Sequence, residues 1–457
     1  MTTPRQQPPD DRVPPSWRLG ADFVPRGRYV DREFLELEYE RLFPRTWQMA
    51  CRDEQLRGVG SVIEYRIGNQ SIAVVRSAED AVLAFHNVCR HRGSRLVEGE
   101  GRIREFRCPF HGWRYALDGT CTFQHLEAEF EGREPGYRNL RPVRCERWGG
   151  FIFVNLDPDA EPLIESLDPL PAALAPFRLE EMRLLWHKQT ILPANWKTAL
   201  DAFVEGYHTP GTHPQYMRLA ESSTPSARPA ELPLFEYSPY TPSICYDRHS
   251  RFVFGVREDG ERQHVRASAE SADLTANQVQ YQVKELGALN TARDARAAEV
   301  LRGRKFARGE RPDAVFQKLR RELAEADGIT WPDMSPEELQ KGIGDWHVFP
   351  TLVILVEVGC MLAYRSRPNG ADPDSCVFDV YSLELFPPGG EPAVQTKVIP
   401  DWKEHDGWGQ VLGQDFRNMS EVTSGLHSSS FDGHWLNTRQ EMAVHNAHYI
   451  ADRYLFE

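Results

Sequence analysis

The stretch CRHRGSRLVEGEGRIREFRCPFHGW, Cys89 to Trp113, decides how this chain is read. Cys89-Arg90-His91 and Cys108-Pro109-Phe110-His111 are two short loops, each with one Cys and one His, and sixteen residues lie between His91 and Cys108. Two thiolates and two imidazoles suit a [2Fe–2S] cluster in which two His replace two Cys on one iron. Neutral imidazoles leave such a cluster less negative than an all-cysteine one. It is then easier to reduce and able to pass single electrons on. Zinc also accepts two Cys with two His. Zinc loops, however, usually pair like ligands, as C-x2-C and H-x3-5-H. The mixed loops favour iron–sulfur over zinc.

Outward from these loops the pattern is one of short alternating runs. Ser61-Val62-Ile63-Glu64-Tyr65, Ser71-Ile72-Ala73-Val74-Val75 and Phe151-Ile152-Phe153-Val154-Asn155 are separated by Gly, Asn and Asp. Residues 58–156 therefore read as an antiparallel β domain that contains both loops. Before it, Asp31 to Phe43 has apolar residues at helical spacing and acids near its start, so a helix is expected. Residues 157–162, DPDAEP, read as the exit. Beyond lies an α+β region: a helix over 195–208, a Pro- and Ser-rich loop over 217–250 and charged helices over 286–325. Strands follow over 348–385, turning at Arg367-Pro368-Asn369-Gly370, and helices over 402–455.

Composition bounds the function classes. The chain has 457 residues, 40% hydrophobic and 26% charged, as in ordinary globular proteins of two or three domains. Its longest apolar run, Thr351 to Val356, is strand-length and far short of the roughly twenty residues that span a bilayer. The first residues, MTTPRQQPPDDRVPPSW, form a Pro-rich lead-in with no apolar core of a secretory signal. Eight Cys are too few for a disulfide scaffold and two must stay reduced for the cluster, so a cytoplasmic location is expected. A net charge of −13 argues against nucleic acid as a partner.

A second informative stretch is DAFVEGYHTPGTH, Asp201 to His213. On a regular helix, His208 and His213 would point about 140° apart. They can share a metal only if the helix breaks between them, and Pro210-Gly211 supplies a break. Two imidazoles and one carboxylate on one face of iron leave positions open for O2 and substrate. Taken alone, this spacing fits two unrelated surface histidines near a helix end better than a metal pair. Glu205, three residues before His208, has another task as hydrogen-bond partner of a ligand histidine. The third ligand must come from downstream, where Asp415, Asp401 and Asp406 all qualify, and Asp415 also reads as an acid at a helix start.

Taken together, Cys89-Arg90-His91-Arg92-Gly93, Cys108 to Trp113, Asn195-Trp196-Lys197 and the E-G-Y-H-x4-H element from Glu205 to His213 resemble the large (α) subunit of Rieske non-haem iron ring-hydroxylating oxygenases. The likeness runs from about residue 40 to the C-terminus. It implies an α+β fold: an antiparallel β Rieske domain plus a helix-on-antiparallel-sheet catalytic domain of the helix-grip, START-like kind. The implied divisions are an N-terminal tail and helix packing on the catalytic domain (1–45), the Rieske domain (46–165) and the mononuclear iron domain (166–457). Cys89, His91, Cys108 and His111 would hold the [2Fe–2S] cluster. His208, His213 and Asp415 would hold Fe(II), Asp415 being placed by Asn418-Met419. The family assembles as a trimer, with or without a small β subunit, in which a carboxylate at the position of Glu205 bridges His208 and His111 of the adjacent subunit.

The activity so implied is that of a terminal oxygenase. It takes electrons from a ferredoxin or flavin reductase and uses O2 to hydroxylate an apolar, aromatic or polycyclic small molecule. Oxidative N- or O-demethylation is the rival within the superfamily, and pure electron transfer the rival outside it. Respiratory Rieske proteins brace the cluster with a disulfide. Here Phe110 stands where one of those Cys would be, and no Cys lies near Gly93, so a potential toward the low end of roughly −150 to +300 mV is expected. Two residues depart from the ring-dioxygenase pattern. Glu205 stands where many carry Asp, as in members acting on amines, and Ala202 stands where relatives often carry Asn. Seven arginines from Arg90 to Arg114, against Glu98, Glu100 and Glu105, form either a dock for an acidic ferredoxin or braces for the loops. Phe203, Val204, Phe349, Leu352, Ile354 and Val356 are candidate pocket residues or plain core, and in relatives a segment within 217–345 caps the site.

Overall fold

The structure, a computed structural model, describes residues 13–130, 132, 134, 136–215, 243–253, 269–285, 289–307, 310 and 312–457. The chain divides into two compact units. Leu35–Ser166 forms one, and Leu167–Glu457 with the described residues before Leu35 forms the other. The segment 1–45, expected as one piece, is thus divided after Phe34. Its expected helix is regular only over Arg32–Leu37, then widens to a π-type turn over Glu38–Leu42 and tightens over Phe43–Arg45.

The smaller unit is an antiparallel sheet of seven strands. Their spatial order is Gln48–Arg52, Phe151–Asn155, Pro142–Trp148, Val82–His86, Gln70–Arg76, Ser61–Ile67 and Glu100–Arg102. A three-stranded ribbon, Phe106–Arg107, Arg114–Tyr115 and Cys121–Phe123, is separate from it. Register brings Val62 opposite Val75 and Ala73 opposite Phe85. Those four side chains share one core with Phe106, Trp113, Tyr115 and the two loop thiols, Cys89 and Cys108. Alternation in the sequence thus becomes one buried face, and the cysteines are drawn into it.

The larger unit is built on an eight-stranded sheet in the order Ile244–Cys245, Ser250–Phe252, Gly344–Val348, Leu352–Glu357, Cys360–Asn369, Asp372–Glu384, Arg183–Leu192 and Thr396–Val398. All neighbours are antiparallel except the last pair. The first two strands fall where a loop was expected; the rest of that stretch, 216–242, lies outside the described residues. The turn expected at 367–370 joins two long strands, with Arg367 opposite Val377.

Paired residues on antiparallel strands share a face, so the register sorts this sheet cleanly. One face carries Phe252, Asp345, His347, Val353, Leu355, Tyr364 and Phe378. The Phe203 ring stacks on Tyr364 at 3.9 Å and on Phe378 at 5.6 Å, and Phe416 meets Phe378 edge-on at 5.5 Å. A long C-terminal helix, His405–Leu426, therefore lies on this face, the expected helix-on-sheet arrangement. The opposite face buries Asp379 among Arg365, Arg367 and His187 at 2.8, 3.3 and 2.9 Å. Burial disfavours a charged carboxyl there, but the two guanidiniums outweigh it and hold Asp379 far below the usual carboxylate range.

Ala269–Glu285, Ala292–Leu301 and Pro312–Ala326 form a helical cluster around Ala272, Ala276, Ala297, Ala298, Leu301 and Phe316. The second of these starts in a Thr291–Asp294 capping box. Two features had no local signal. Phe23–Pro25 pairs with Gly433–Trp435, interrupting the helices expected over 402–455, and Arg28 forms a buried ion pair with Asp452 at 2.7 Å. Among the described residues no helix is long and apolar enough to cross a membrane.

Candidate active site

The two cluster loops are built alike. Cys89 N–H donates to Ser94 O and Gly93 N–H to Cys89 O; Cys108 N–H donates to Trp113 O and Gly112 N–H to Cys108 O. Each loop thus turns on a glycine four residues after its cysteine, at φ 79° and 69°. A Cβ at either glycine would meet nothing within 4 Å, so the requirement is the left-handed backbone and not space. This tight turn folds each thiol inward and leaves each imidazole at the surface. Cys89 and Cys108 are buried, while His111 is exposed.

The His91 and His111 Nδ1 atoms face each other at 3.2 Å, and Trp113 stacks flat on His91. Arg90 N–H occupies the Tyr115 oxygen at 3.1 Å, which leaves the Tyr115 O–H to donate to Cys89 Sγ at 3.2 Å. Burial pushes both thiols up. At Cys108 the N–H groups of His111 and Phe110 outweigh it, with help from Cys89 and Ser94, and the thiol sits below its ordinary value. Sulfur atoms buried together beneath two converging imidazole nitrogens fit a two-iron cluster in which two thiolates hold one iron and two imidazoles the other.

The second group arises where a helix ends early. Asn195 caps Trp196–Asp201 by accepting the Lys197 N–H at 3.0 Å. The helix expected to reach residue 208 stops at Asp201. The reason is Glu205: its Oε2 accepts the backbone N–H of Tyr207 and of His208, replacing the helical acceptors for those groups. His208 then stands at the head of a separate turn, Thr209–Thr212, with Pro210 at its second position, and His213 closes that turn. The break between the histidines is real, but it begins before His208 and not after it.

Each histidine has one nitrogen committed to a donor role. His208 Nδ1 is 2.5 Å from Glu205 Oε1, and His213 Nδ1 is 2.9 Å from Gln414 Oε1. Both Nε2 atoms turn to the same oxygen, Asp415 Oδ1, at 3.8 Å from His208 and 3.0 Å from His213. With Nδ1 protonated, a neutral imidazole offers only a lone pair at Nε2. The 3.0 Å approach is then of acceptor to acceptor, and Asp415 Oδ1 is buried without a hydrogen bond among the described residues. A cation among the three satisfies all of them, and their ligand atoms lie within 4.8 Å of one another. Burial alone would keep His208 neutral, but Glu205, Asp415 and Asp345 surround it with carboxylates and raise it to about 9. The same field favours a bound metal cation.

Asp415 is not at a helix start. The C-terminal helix breaks at Gly409 (φ 76°), whose Cα packs against the carbonyl of Glu285, and restarts with Gln410 N–H donating to Glu285 Oε2 at 3.0 Å. Asp415 sits in the interior of the restarted helix, within the buried stripe Trp408, Leu412, Phe416, Met419. Asn418 ties the same helix to Thr212 at 2.7 Å. Of the rival acids, Asp401 precedes this helix and is exposed.

Several participants carried no sequence signal. Gln414, itself linked to Gln215 at 2.7 Å, orients His213. Asp201 is half-buried, accepts the Tyr29 O–H at 2.9 Å and is raised to about 7 by loss of solvation. Of the candidate pocket residues, Phe203 faces the helix side of the sheet. Leu352 and Ile354 point to the other face, beside Arg365 and Trp346, so the strand offers Val353 and Leu355 to the site instead. Leu352 and Ile354 thus take the core alternative, because one residue of register flips every side chain.

Both groups lie in segments that match known families. Residues 46–130 match the Rieske [2Fe-2S] domain, and residues 174–457 match the catalytic domain of the ring hydroxylating alpha subunit. The glycine betaine monooxygenase oxygenase subunit of Pseudomonas aeruginosa is 33% identical over 198 residues, 43% of this chain and 46% of that protein. The carnitine monooxygenase oxygenase subunit of Escherichia coli K12 is 32% identical over 204 residues, 44% of this chain and 53% of that one. These alignments span about half the length of the curated relatives. A quaternary ammonium Rieske monooxygenase in complex with L-carnitine superimposes with a TM-score of 0.60 over 95% of this chain and 96% of its own, at 16% identity, a likeness of fold. The catalytic-domain match takes in well over half of the chain, and with it the sequence belongs to the ring-hydroxylating alpha subunit family, with a Rieske [2Fe–2S] domain ahead of a mononuclear iron domain.

Proposed function

We propose that the chain is the terminal oxygenase component of a Rieske non-haem iron system that oxidises an N-methyl group of a quaternary ammonium compound. The observation that carries the oxygenase reading is the convergence of the His208 and His213 Nε2 atoms on one buried oxygen of Asp415 that has no hydrogen bond among the described residues. A pure electron-transfer protein has no use for such a site. The substrate class is supported by relatives named for glycine betaine and carnitine. The glutamate at position 205 points the same way. The expectation of an apolar aromatic substrate finds no support in those names.

In this reading residues 46–165 form the cluster domain and 166–457 the iron domain. Cys89, His91, Cys108 and His111 hold the cluster, and His208, His213 and Asp415 hold the iron. When bound, these groups supply single-electron transfer and activation of O2 at open coordination positions. Glu205 and Gln414 each take an N–H from a ligand histidine, which fixes the tautomer and turns Nε2 toward the metal. Glu205 accepts a further hydrogen bond from the partner subunit's His111 in a homotrimer, so that the two sites of adjacent protomers communicate. A ferredoxin or flavin reductase in the cytoplasm is the electron donor.

The reaction balances simply. One oxygen atom of O2 enters a C–H bond of the N-methyl group, and the other leaves as water with two electrons and two protons. The N-hydroxymethyl product then breaks its C–N bond to give the amine, formaldehyde and a proton. The test is O2 uptake by the reconstituted protein across aromatic acids, hydrocarbons, steroids and methylated amines. Formaldehyde formed in step with O2 from an ammonium substrate supports the reading. Uptake with aromatics alone overturns the substrate class, and a protein that retains only cluster iron overturns the oxygenase.

A further inference from the structure

Asp345 lies on the sheet face that looks toward the iron-binding group, and the metal site does not use it. It is 7% exposed, and its Oδ1 has no hydrogen-bond partner among the described residues. Its strand neighbours fix where it points. Phe252 is directly opposite it on one side and Leu355 on the other. The Phe252 ring sits against Gly206 so closely that a Cβ there would overlap it, and Gly206 is two residues before His208. His208 is also near enough for its charge to act on Asp345.

Among the described residues no side chain is hydrogen-bonded to Asp345 Oδ1. Burial, and then the like charge of Glu357 on the same face, push the Asp345 carboxyl well above the usual carboxylate range, and among the described residues His208 is the cationic group that opposes them. That imidazole is committed elsewhere once it ligates a metal. His347, two residues along on the same face, is held neutral near pH 4 and above by burial. Its Nε2–H donates to Pro350 O at 3.2 Å, which leaves Nδ1 as a second buried acceptor without a partner among the described residues. Two buried acceptors side by side, one of them a carboxyl that ionises readily only when a positive charge faces it, are left incomplete in an apolar setting until something positive arrives. The chain's own core residues on this face, Val353, Leu355 and Tyr364, offer no charge.

We propose that Asp345 receives the cationic nitrogen of the substrate, and that this contact, aided by His347, selects alkylammonium compounds over neutral molecules of the same shape. The assignment rests on the oxygenase reading above and names the residue that gives that reading its substrate class. It places the charged nitrogen within reach of the iron-binding histidine, so that a methyl on that nitrogen is the carbon nearest to the site of oxidation.

The test is binding, measured by calorimetry on the anaerobic holoenzyme. The probes are choline and its neutral analogue 3,3-dimethylbutanol, in which carbon replaces nitrogen. The wild-type protein should bind choline more tightly than the neutral analogue. Asp345→Asn should weaken choline about 30-fold or more, as expected for leaving one member of a buried charge pair alone, while the neutral analogue is unaffected. Iron content and the reduced-cluster EPR signal, unchanged in the variant, exclude a folding defect. Should the variant fail to fold, the wild-type preference decides by itself: equal affinity for the two probes overturns the assignment. Preference for choline that survives in Asp345→Asn overturns the role of Asp345 and leaves the reading of function intact. A wild-type holoenzyme that binds neutral aromatics and no ammonium compound removes both.

Discussion

Replacing Gln414 by Ala isolates the hydrogen bond that aims His213 at the metal. In the folded chain His213 is 4% exposed and its Nδ1–H has the Gln414 oxygen at 2.9 Å. Removing that acceptor leaves a buried N–H unsatisfied, or lets the ring rotate or change tautomer so that Nε2 carries the proton. Either result withdraws a lone pair from the metal. A neutral hydrogen bond of this kind is worth about 1 kcal/mol net. Loss of a ligand's orienting partner typically lowers metal affinity about 10- to 100-fold, or about 1.4 to 2.8 kcal/mol. Gln414 also receives an N–H from Gln215, which holds the ligand turn to the C-terminal helix, so the upper part of that range is expected. The assay is anaerobic Fe(II) titration against a chelator, with the visible spectrum of the cluster as internal control. The cluster ligands lie in the separate unit Leu35–Ser166, so their spectrum should not change. Mononuclear iron bound as tightly as in the wild type would refute the orienting role, and equal loss of both metals would point to general unfolding.

Three further outcomes concern other parts of the chain. Asp379→Asn leaves Arg365 and Arg367 buried without their counter-ion and should destabilise the protein by about 3–5 kcal/mol, read as a lower midpoint in urea; an unchanged midpoint would mean the cluster of charges contributes nothing. Iron must displace a proton from His208, which is raised from 6.5 to about 9, so apparent Fe(II) affinity should climb about tenfold per pH unit between those values and level off above them. In the metal-free protein the sign is opposite: protonated His208 stabilises the fold fully below pH 6.5, and that contribution is lost as pH rises through about 9. Gly409→Ala puts a Cβ into the Glu285 carbonyl at a positive φ, and should lower both thermal stability and mononuclear iron content because the helix carrying Asp415 restarts there.

How much of this was readable in advance differs by residue, and the differences have physical causes. The cluster loops were legible because each is a self-contained turn: the cysteine, the histidine and the glycine that reverses the chain all lie within five residues of one another. The β character of residues 58–156 was legible for a similar reason, since alternation over five residues reports burial on one face. The helix–turn at 196–213 was half legible. Pro210 and Gly211 advertise a break, yet the chain leaves the helix earlier because one side chain, Glu205, captures two backbone N–H groups. Propensity does not contain that competition. The pairing of Phe23–Pro25 with Gly433–Trp435 was invisible, because three-residue strands four hundred positions apart leave no periodicity to detect.

Asp415 shows where the boundary lies. From composition alone it competed with Asp401 and Asp406, and the family likeness was needed to prefer it. The helical register would have decided the matter without that help. Trp408, Leu412, Phe416, Met419 and Thr423 recur at spacings of three and four and are buried, and Asp415 falls within that stripe whereas Asp401 precedes the helix altogether. An acid on the apolar face of an amphipathic helix must be paired or must hold a cation. The described residues offer Asp415 Oδ1 no hydrogen bond, only the Nε2 atoms of two imidazoles whose Nδ1 atoms are committed to Glu205 and Gln414. Asp345 repeats the pattern on the facing sheet, a buried carboxyl with one oxygen unmatched among the described residues. The two differ in what surrounds them. Two imidazole Nε2 atoms converge on Asp415 and define a metal, whereas Asp345 has Phe252 and Leu355 opposite it on its neighbouring strands and, among the described residues, no imidazole or carboxylate drawn in to share a cation with it.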